Sequence, residues 1–264
     1  MFSAAAAYER FMGRWSAHLA PLFVQFGDVR DGDRLLDVGS GTGSLTRALA
    51  AAAPLSQIVG IDPASPFVEF AQQTLGSHRI HFEIGDAQQL RFDGASFDCT
   101  LSMLILNFVP DRAAAMREMI RVTKPGGIIA AAVWDYGEEM EMLRAFWDEL
   151  VALRPDLDAS DERHMPLCRQ GELAALWREH DLRDIVNAPL TIETSFDGFD
   201  DYWSPFLLQQ GPAGACAAAL SPVERDALAS RLRRRLLGDG EDYPVQLRAR
   251  AWAVRGVVPP SAAG

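Results

Sequence analysis

The sequence predicts an α/β fold, a parallel sheet whose strands are joined by crossover helices. Three observations carry that prediction. From Arg34 to Trp134, short apolar runs alternate with amphipathic stretches. A glycine-rich turn links the first of these runs to the stretch after it, and acidic residues close three successive runs at Asp37, Asp62 and Asp86. At 264 residues the chain accommodates one large domain, or a core with modest insertions.

The elements follow in order. Leu35–Val38 reads as the first strand and Leu45–Ala53 as its helix; Gln57–Ile61 and Pro66–Leu75 form the second pair. Arg79–Ile84 alternates inward and outward as a third strand, whereas Phe97–Leu104 is largely apolar, as a central strand is. Arg112–Val122 is a helix stopped by the breakers Lys124-Pro125-Gly126-Gly127, and Ile128–Trp134 is the fifth strand. Beyond Trp134 the pattern loosens. Glu138–Leu153, Glu172–His180 and Pro222–Leu237 read as helices, and Leu182–Thr194 and Gln246–Val258 as strands. Phe196–Leu208 is aromatic-rich, and Gln210–Ala215 reads as a Gly/Pro loop. A helix is expected near the start, around Tyr8–Leu22.

Composition narrows the function classes. The formal charge of −11, from 25 basic against 36 acidic residues, disfavours a phosphate backbone as partner. The basic cluster of Arg231 and Arg233–Arg235 lies in a helical stretch beside acidic residues and reads as a solvated face. Apolar stretches such as Gly127–Trp134 are far short of the roughly 20 residues that span a bilayer. The alanine-rich start lacks the basic and apolar regions of a signal peptide, so a cytoplasmic protein is expected, with no nucleic acid and no membrane as partner. Cys99, Cys168 and Cys216 are too scattered for a disulfide framework or a zinc site, and no metal is expected.

The segment Leu35-Leu36-Asp37-Val38-Gly39-Ser40-Gly41-Thr42-Gly43-Ser44-Leu45-Thr46 is the most informative. A strand running into a glycine turn that opens a helix is where open α/β sheets bind nucleotides. The dinucleotide fingerprint requires glycine or alanine where this chain has Ser44 or Thr46, so the spacing does not fit. Asp37 at the loop would repel a pyrophosphate but suits a ligand bearing an ammonium group. S-adenosylmethionine is such a ligand, with an α-amino group, a sulfonium and no phosphate. Asp62, about 20 residues past the loop, stands where a carboxylate accepts ribose hydroxyls. Asp86 could accept from an exocyclic adenine amine. Each acid alone could equally be a helix cap; three together with the loop are harder to explain that way.

Over Arg34–Trp134 the chain resembles the class I S-adenosylmethionine-dependent methyltransferases, in particular their small-molecule enzymes. Asp37–Gly43 is similar to the family's first motif, Gly60-Ile61-Asp62 to its ribose motif and Gly85-Asp86-Ala87 to its adenine motif. Phe97-Asp98, Asn107–Asp111 and Arg121–Gly127 are similar to its later motifs. The resemblance implies a doubly wound, Rossmann-like sheet of seven strands with the last antiparallel. It places Gly39 and Gly41, with Ser40, around the methionine part of the cofactor. It places Asp62, with Pro63 beside it, at the ribose, and Asp86 and Ala87 at the adenine. Ser102, Met103 and Leu104 would lie against the ligand. Many relatives carry a histidine where this chain has Phe108, so no role of such a histidine carries over.

The expected core is 30–134, 171–195 and 245–258, with lid segments 1–26, 135–170 and 196–242. Arg14 and Trp15 are candidates to meet the methionine carboxylate and the adenosine. Most lid aromatics are expected to pack on one another. His164, Asp135 and Tyr202 could act as a base, but no catalytic residue is assigned. The expected activity is methyl transfer to a small-molecule acceptor by a monomer or homodimer. An NAD(P)-dependent oxidoreductase on the same fold and a non-catalytic nucleotide-binding regulator are the alternatives.

Overall fold

A computed structural model describes residues 4–260; residues 1–3, where the expected first lid segment begins, lie outside the described residues. Seven strands form one sheet: β1 (Arg34–Val38), β2 (Gln57–Asp62), β3 (Ile80–Ile84), β4 (Phe97–Met103), β5 (Thr123–Trp134), β6 (Arg183–Phe196) and β7 (Val245–Val257). Their order is β3-β2-β1-β4-β5-β7-β6. β7 runs antiparallel between β5 and β6, and every other pairing is parallel. The strand order reverses at β1, so a crevice opens beyond the carboxyl ends of β1 and β4, where such sheets bind ligands.

Period-two alternation assigns each strand's side chains to two cores. Leu35, Ala130 and Ala132 face one core, while Leu36, Ile129, Ala131 and Val133 face the other. The first core is covered by α2 (Arg14–Phe26), α3 (Ser44–Ala52), α4 (Ser65–Leu75) and α6 (Glu141–Leu153). The second is covered by α5 (Arg112–Val122) and α7 (Glu172–Glu179), with the Trp177 indole donating to the Ile129 carbonyl at 3.1 Å. Among the described residues no helix is long and apolar enough to cross a membrane.

Three local expectations are corrected. The Lys124–Gly127 breaker group does not precede β5 but lies within it, as a bulge. Phe97 pairs with Thr123 and Cys99 already with Ile128, and the extra residues are strapped down by Lys124 on Asp98 at 2.6 Å. Gln210–Ala215 is not a loop, because Gly211–Ala219 is helical and lies in order between α8 (Phe199–Trp203) and α10 (Pro222–Leu237) as α9. Pro212 sits in its first turn, where the missing N–H is no loss, and alanines follow. The N-terminal helix is broken into α1 (Ala4–Tyr8), a π-helical turn over Glu9–Gly13, and α2.

Candidate active site

A cavity of about 210 Å³ opens at the carboxyl ends of β1, β2, β4 and β5. It is many times the roughly 10–15 Å³ that a single water needs, so it is an organic-ligand site in scale. Its floor is the turn after β1, with Gly39, Ser40, Gly41 and Thr42 on its surface. Gly39 adopts φ +79°, and a β-carbon there would stand 2.3 Å from Ile105 Cγ1, so any side chain strains the turn and displaces Ile105.

The loop's amides are mostly engaged within the protein. Gly39 and Ser40 both donate to the Ile61 carbonyl at 2.8 Å, Gly43 donates to Ser40 O at 2.8 Å, and Gly41 donates to Asp62 Oδ2 at 3.0 Å. A phosphate needs free N–H groups at such a loop. These are taken.

Asp62 lines the cavity and is 7% exposed. Its second oxygen accepts from Ala64 N at 2.9 Å, so two backbone amides fix its orientation. Burial raises its pKa, and the bonds from Ala64 and Gly41 oppose that rise. Asp37 lies beneath the loop, fully buried and outside the cavity wall. Thr46 donates to its Oδ2 at 2.7 Å, while Oδ1 has no partner. Burial pushes this carboxyl up to about 7; the Thr46 bond works against the rise, and the nearby Asp62 adds to it.

The other candidates separate. Met103 and Leu104 line the cavity, and Leu104 holds φ +68°, a costly conformation for a bulky side chain that sets the wall at the end of β4. Ser102 is buried but not in the cavity wall, and its hydroxyl lacks a partner. Pro63 is exposed. Asp86 is exposed one strand further out, where it accepts from Gln88 N at 2.8 Å and from Gln88 Nε2; Ala87, although buried, does not reach the cavity. Arg14 and Trp15 are also turned away. Arg14 binds Asp201 at 3.0 Å through both carboxylate oxygens, and Trp15 packs edge-on against Phe196. Their helix presents Ser16 to the cavity instead.

The three candidate bases lie elsewhere. His164 is exposed beside Asp158, Asp135 is tied to Arg250, and the Tyr202 hydroxyl donates to Met142 O at 2.9 Å in the core. The lid aromatics pack together, Phe146 stacking on Phe206 at 4.5 Å; of the aromatics in 135–170 and 196–242, only Tyr136 lines the cavity.

Several cavity residues carried no sequence signal. Tyr8, Phe11 and Met12 come from α1 and the π turn, and Glu9 ties that turn to the loop by accepting from Thr42 Oγ1 at 2.5 Å. Gln210–Pro212 come from the start of α9, and Glu162 from the segment after β5. Irregular turns rather than periodic elements supply them, so only the π turn's apolar pair within an amphipathic helix could have flagged them.

Residues 36–131 match the family model described as a methyltransferase domain. The match spans little more than a third of the chain and marks this segment as a methyltransferase domain. The malonyl-[acyl-carrier protein] O-methyltransferase of Serratia marcescens is 30% identical over 141 residues, covering 53% of this chain and 51% of that protein. The demethylmenaquinone methyltransferase of Staphylococcus aureus (strain JH9) is 39% identical over 103 residues, 38% of this chain and 43% of that one. The chain thus spans about half or less of the length of these relatives.

Among solved structures, the YcgJ protein of Bacillus subtilis superposes with a TM-score of 0.61 at 21% identity, covering 92% of this chain and 99% of that one. Phosphoethanolamine N-methyltransferase 2 of Haemonchus contortus, solved with phosphomonomethylethanolamine and S-adenosylhomocysteine, gives 0.58 at 18% identity, covering 97% of this chain and 57% of that one. At these identities the likeness is one of fold. The residues present fit S-adenosylmethionine: four of the loop's amides are occupied, its underside carries a buried carboxyl with one oxygen unpartnered, and the Asp62 carboxylate is fixed on the cavity wall.

Proposed function

We propose that this chain transfers a methyl group from S-adenosylmethionine to a small-molecule acceptor held under the lid. The observation that carries this reading is the Gly41–Asp62 bond at 3.0 Å. It joins the loop and the Asp62 carboxylate in one rigid unit, which supports holding the two ends of an adenosyl ligand together. Gly39, Ser40 and Gly41 would take the methionine part, Asp62 the ribose, and Asp37 would act on the ammonium group through the field of its buried charge. Asp86 and Ala87 would reach the adenine only from the cavity's outer side.

When bound, the cofactor supplies an electrophilic methyl group on a sulfonium. The chain's own task is alignment and exclusion of water. The N-terminal segment, residues 135–170 and residues 196–242 serve as the lid. The mostly apolar wall of Phe11, Met103, Leu104, Trp134 and Leu143 favours an acceptor with an apolar body. An oxidoreductase reading is disfavoured by the engaged loop amides, which leave little for a pyrophosphate.

The test is calorimetric titration with S-adenosylmethionine and S-adenosylhomocysteine. Binding in the micromolar range is expected, with a loss of at least about tenfold on Asp62→Ala, the size of one to two hydrogen bonds to a charged group. Absence of binding at millimolar ligand, or tight binding of NAD instead, removes the proposal.

A further inference from the structure

Glu162 is 3% exposed and lines the cavity, yet it lies in a run, Asp161-Glu162-Arg163-His164, that reads as solvated surface. The two acids of this run divide their surroundings unequally. Asp161 takes both neighbouring guanidinium groups, with Arg144 Nη2 at 2.8 Å and Arg163 Nε at 2.6 Å. Glu162 forms no ion pair among the described residues; its Oε2 accepts from the Trp147 indole N–H. Around it stand Tyr136 at the end of β5, the thiols Cys168 and Cys216, and the Arg144–Asp161 pair. Burial keeps Tyr136 and both thiols protonated, so among these groups Glu162 is the one able to accept a proton near neutrality. Its own carboxyl is pushed up to about 7, chiefly by burial and further by the Asp161 charge, with the bonds from the Trp147 indole and from the Glu162 and Ala213 amides opposing the rise.

A buried carboxyl without a cation is costly unless a ligand uses it. We propose that Glu162 receives the proton of the methyl acceptor, and that this acceptor is a hydroxyl compound with an apolar or aromatic body. The inference rests on the methyl transfer proposed above. An oxygen lone pair of the acceptor forms the new C–O bond while the C–S bond breaks. Sulfur keeps that electron pair and loses its positive charge, and the hydroxyl proton passes to a Glu162 carboxylate oxygen. Leu143, Tyr136 and Trp134 line the same cavity as Glu162 with the apolar surface such a body needs. An ammonium acceptor fits less well, since its three donors would meet a single carboxylate in a mostly apolar wall.

The experiment compares wild type, Glu162→Gln and Glu162→Asp, with a panel of phenols and primary alcohols as acceptors and matched amines beside them. Methyl ethers are read by mass spectrometry, and cofactor affinity by calorimetry. Glu162→Gln keeps an acceptor for the Trp147 N–H, so a native melting transition is expected. In wild type, ether formation should rise with pH through about 7. Glu162→Gln should lower kcat by roughly 10²–10⁴-fold, the usual worth of a general base, with unchanged cofactor affinity and a flat pH profile, and Glu162→Asp should restore part of it. Independently of turnover, an infrared carboxyl band titrating near pH 7 should be present in wild type and missing from Glu162→Gln. Turnover of amines but not hydroxyls, no turnover of the panel by protein that binds the cofactor, an active Gln variant, or no such band would each overturn the inference. Failure of wild type to bind the cofactor would instead sink the methyl-transfer proposal itself.

Discussion

Asp37 and Glu162 are driven the same way by burial, and the consequence for stability has a definite sign. An acid whose pKa is higher in the folded state binds more protons there than when unfolded, so stability falls as pH rises between the two values. For Asp37 that window runs from its ordinary 3.8 to about 7. Asp37→Asn removes the titration and can keep an acceptor for Thr46. The variant should therefore melt higher than wild type at pH 8, with each kcal/mol gained raising Tm by about 2–4 °C in a chain of this size. The difference should shrink toward pH 4. The same variant should bind S-adenosylmethionine more weakly, because its ammonium group loses the charge beneath the loop. Equal melting temperatures at both pH values would contradict the assignment of an uncompensated charge. The gain in stability with loss of binding is the trade expected of a site strained for function.

At the scale of elements, the turn between β1 and α3 behaves as a hinge-free joint. Gly39 at φ +79° lies against Ile105, so the turn and the end of β4 are fitted to each other. Gly39→Ala combines a left-handed backbone, costing roughly 1–2 kcal/mol, with displacement of Ile105 from the cavity wall. The protein should still fold, with a lowered Tm, and should lose roughly tenfold or more in cofactor affinity by calorimetry. An unaltered affinity would mean that the turn does not set the cavity floor. Gly13, in ordinary helical conformation, leaves room in the π turn for the end of the Glu9 side chain. A β-carbon there would stand 2.6 Å from the Glu9 carboxyl, which is the group that reaches Thr42 on the loop. One small residue thus lets the N-terminal segment close down on the site.

For the whole molecule, the N-terminal segment is both cover and core. Leu19 and Phe23 of α2 are fully buried in the first core, while Tyr8, Phe11 and Met12 just before them face the cavity. Deleting residues 1–26 should therefore do more than open the site. Losing two such side chains alone removes of order 3–6 kcal/mol of burial, comparable with the margin of a typical domain. The truncated protein should lose its cooperative melting transition and its near-ultraviolet circular dichroism. Arg14→Ala, which breaks a half-exposed pair with Asp201, should cost only about 0–1 kcal/mol. A truncated chain that still melts cooperatively would show that the segment is a detachable lid.

The order of strands and crossovers was legible because it is written in local pattern: period-two alternation, apolar central runs, and a glycine turn whose φ angles few other residues tolerate. Asp62 was legible for the same reason, since it closes a strand at a fixed distance from that turn. Asp37 was legible as an acid but not as a buried one. Arg14 and Trp15 lay on the right segment, yet the choice between cavity and Asp201 depends on where α2 turns its faces once packed. Pro212 punctuates a loop and opens a helix equally well, and only its neighbours in space select the helix. Glu162 carried no signal. In one dimension Asp161 and Glu162 are equivalent acids, and it is the packed positions of Arg144 and Trp147 that draw one to the cations and the other into the cavity. Local sequence thus determined the scaffold and the cofactor class, through backbone geometry and periodicity. The wall of the cavity was decided by tertiary structure, because irregular turns far apart in the chain meet only after the cores have formed.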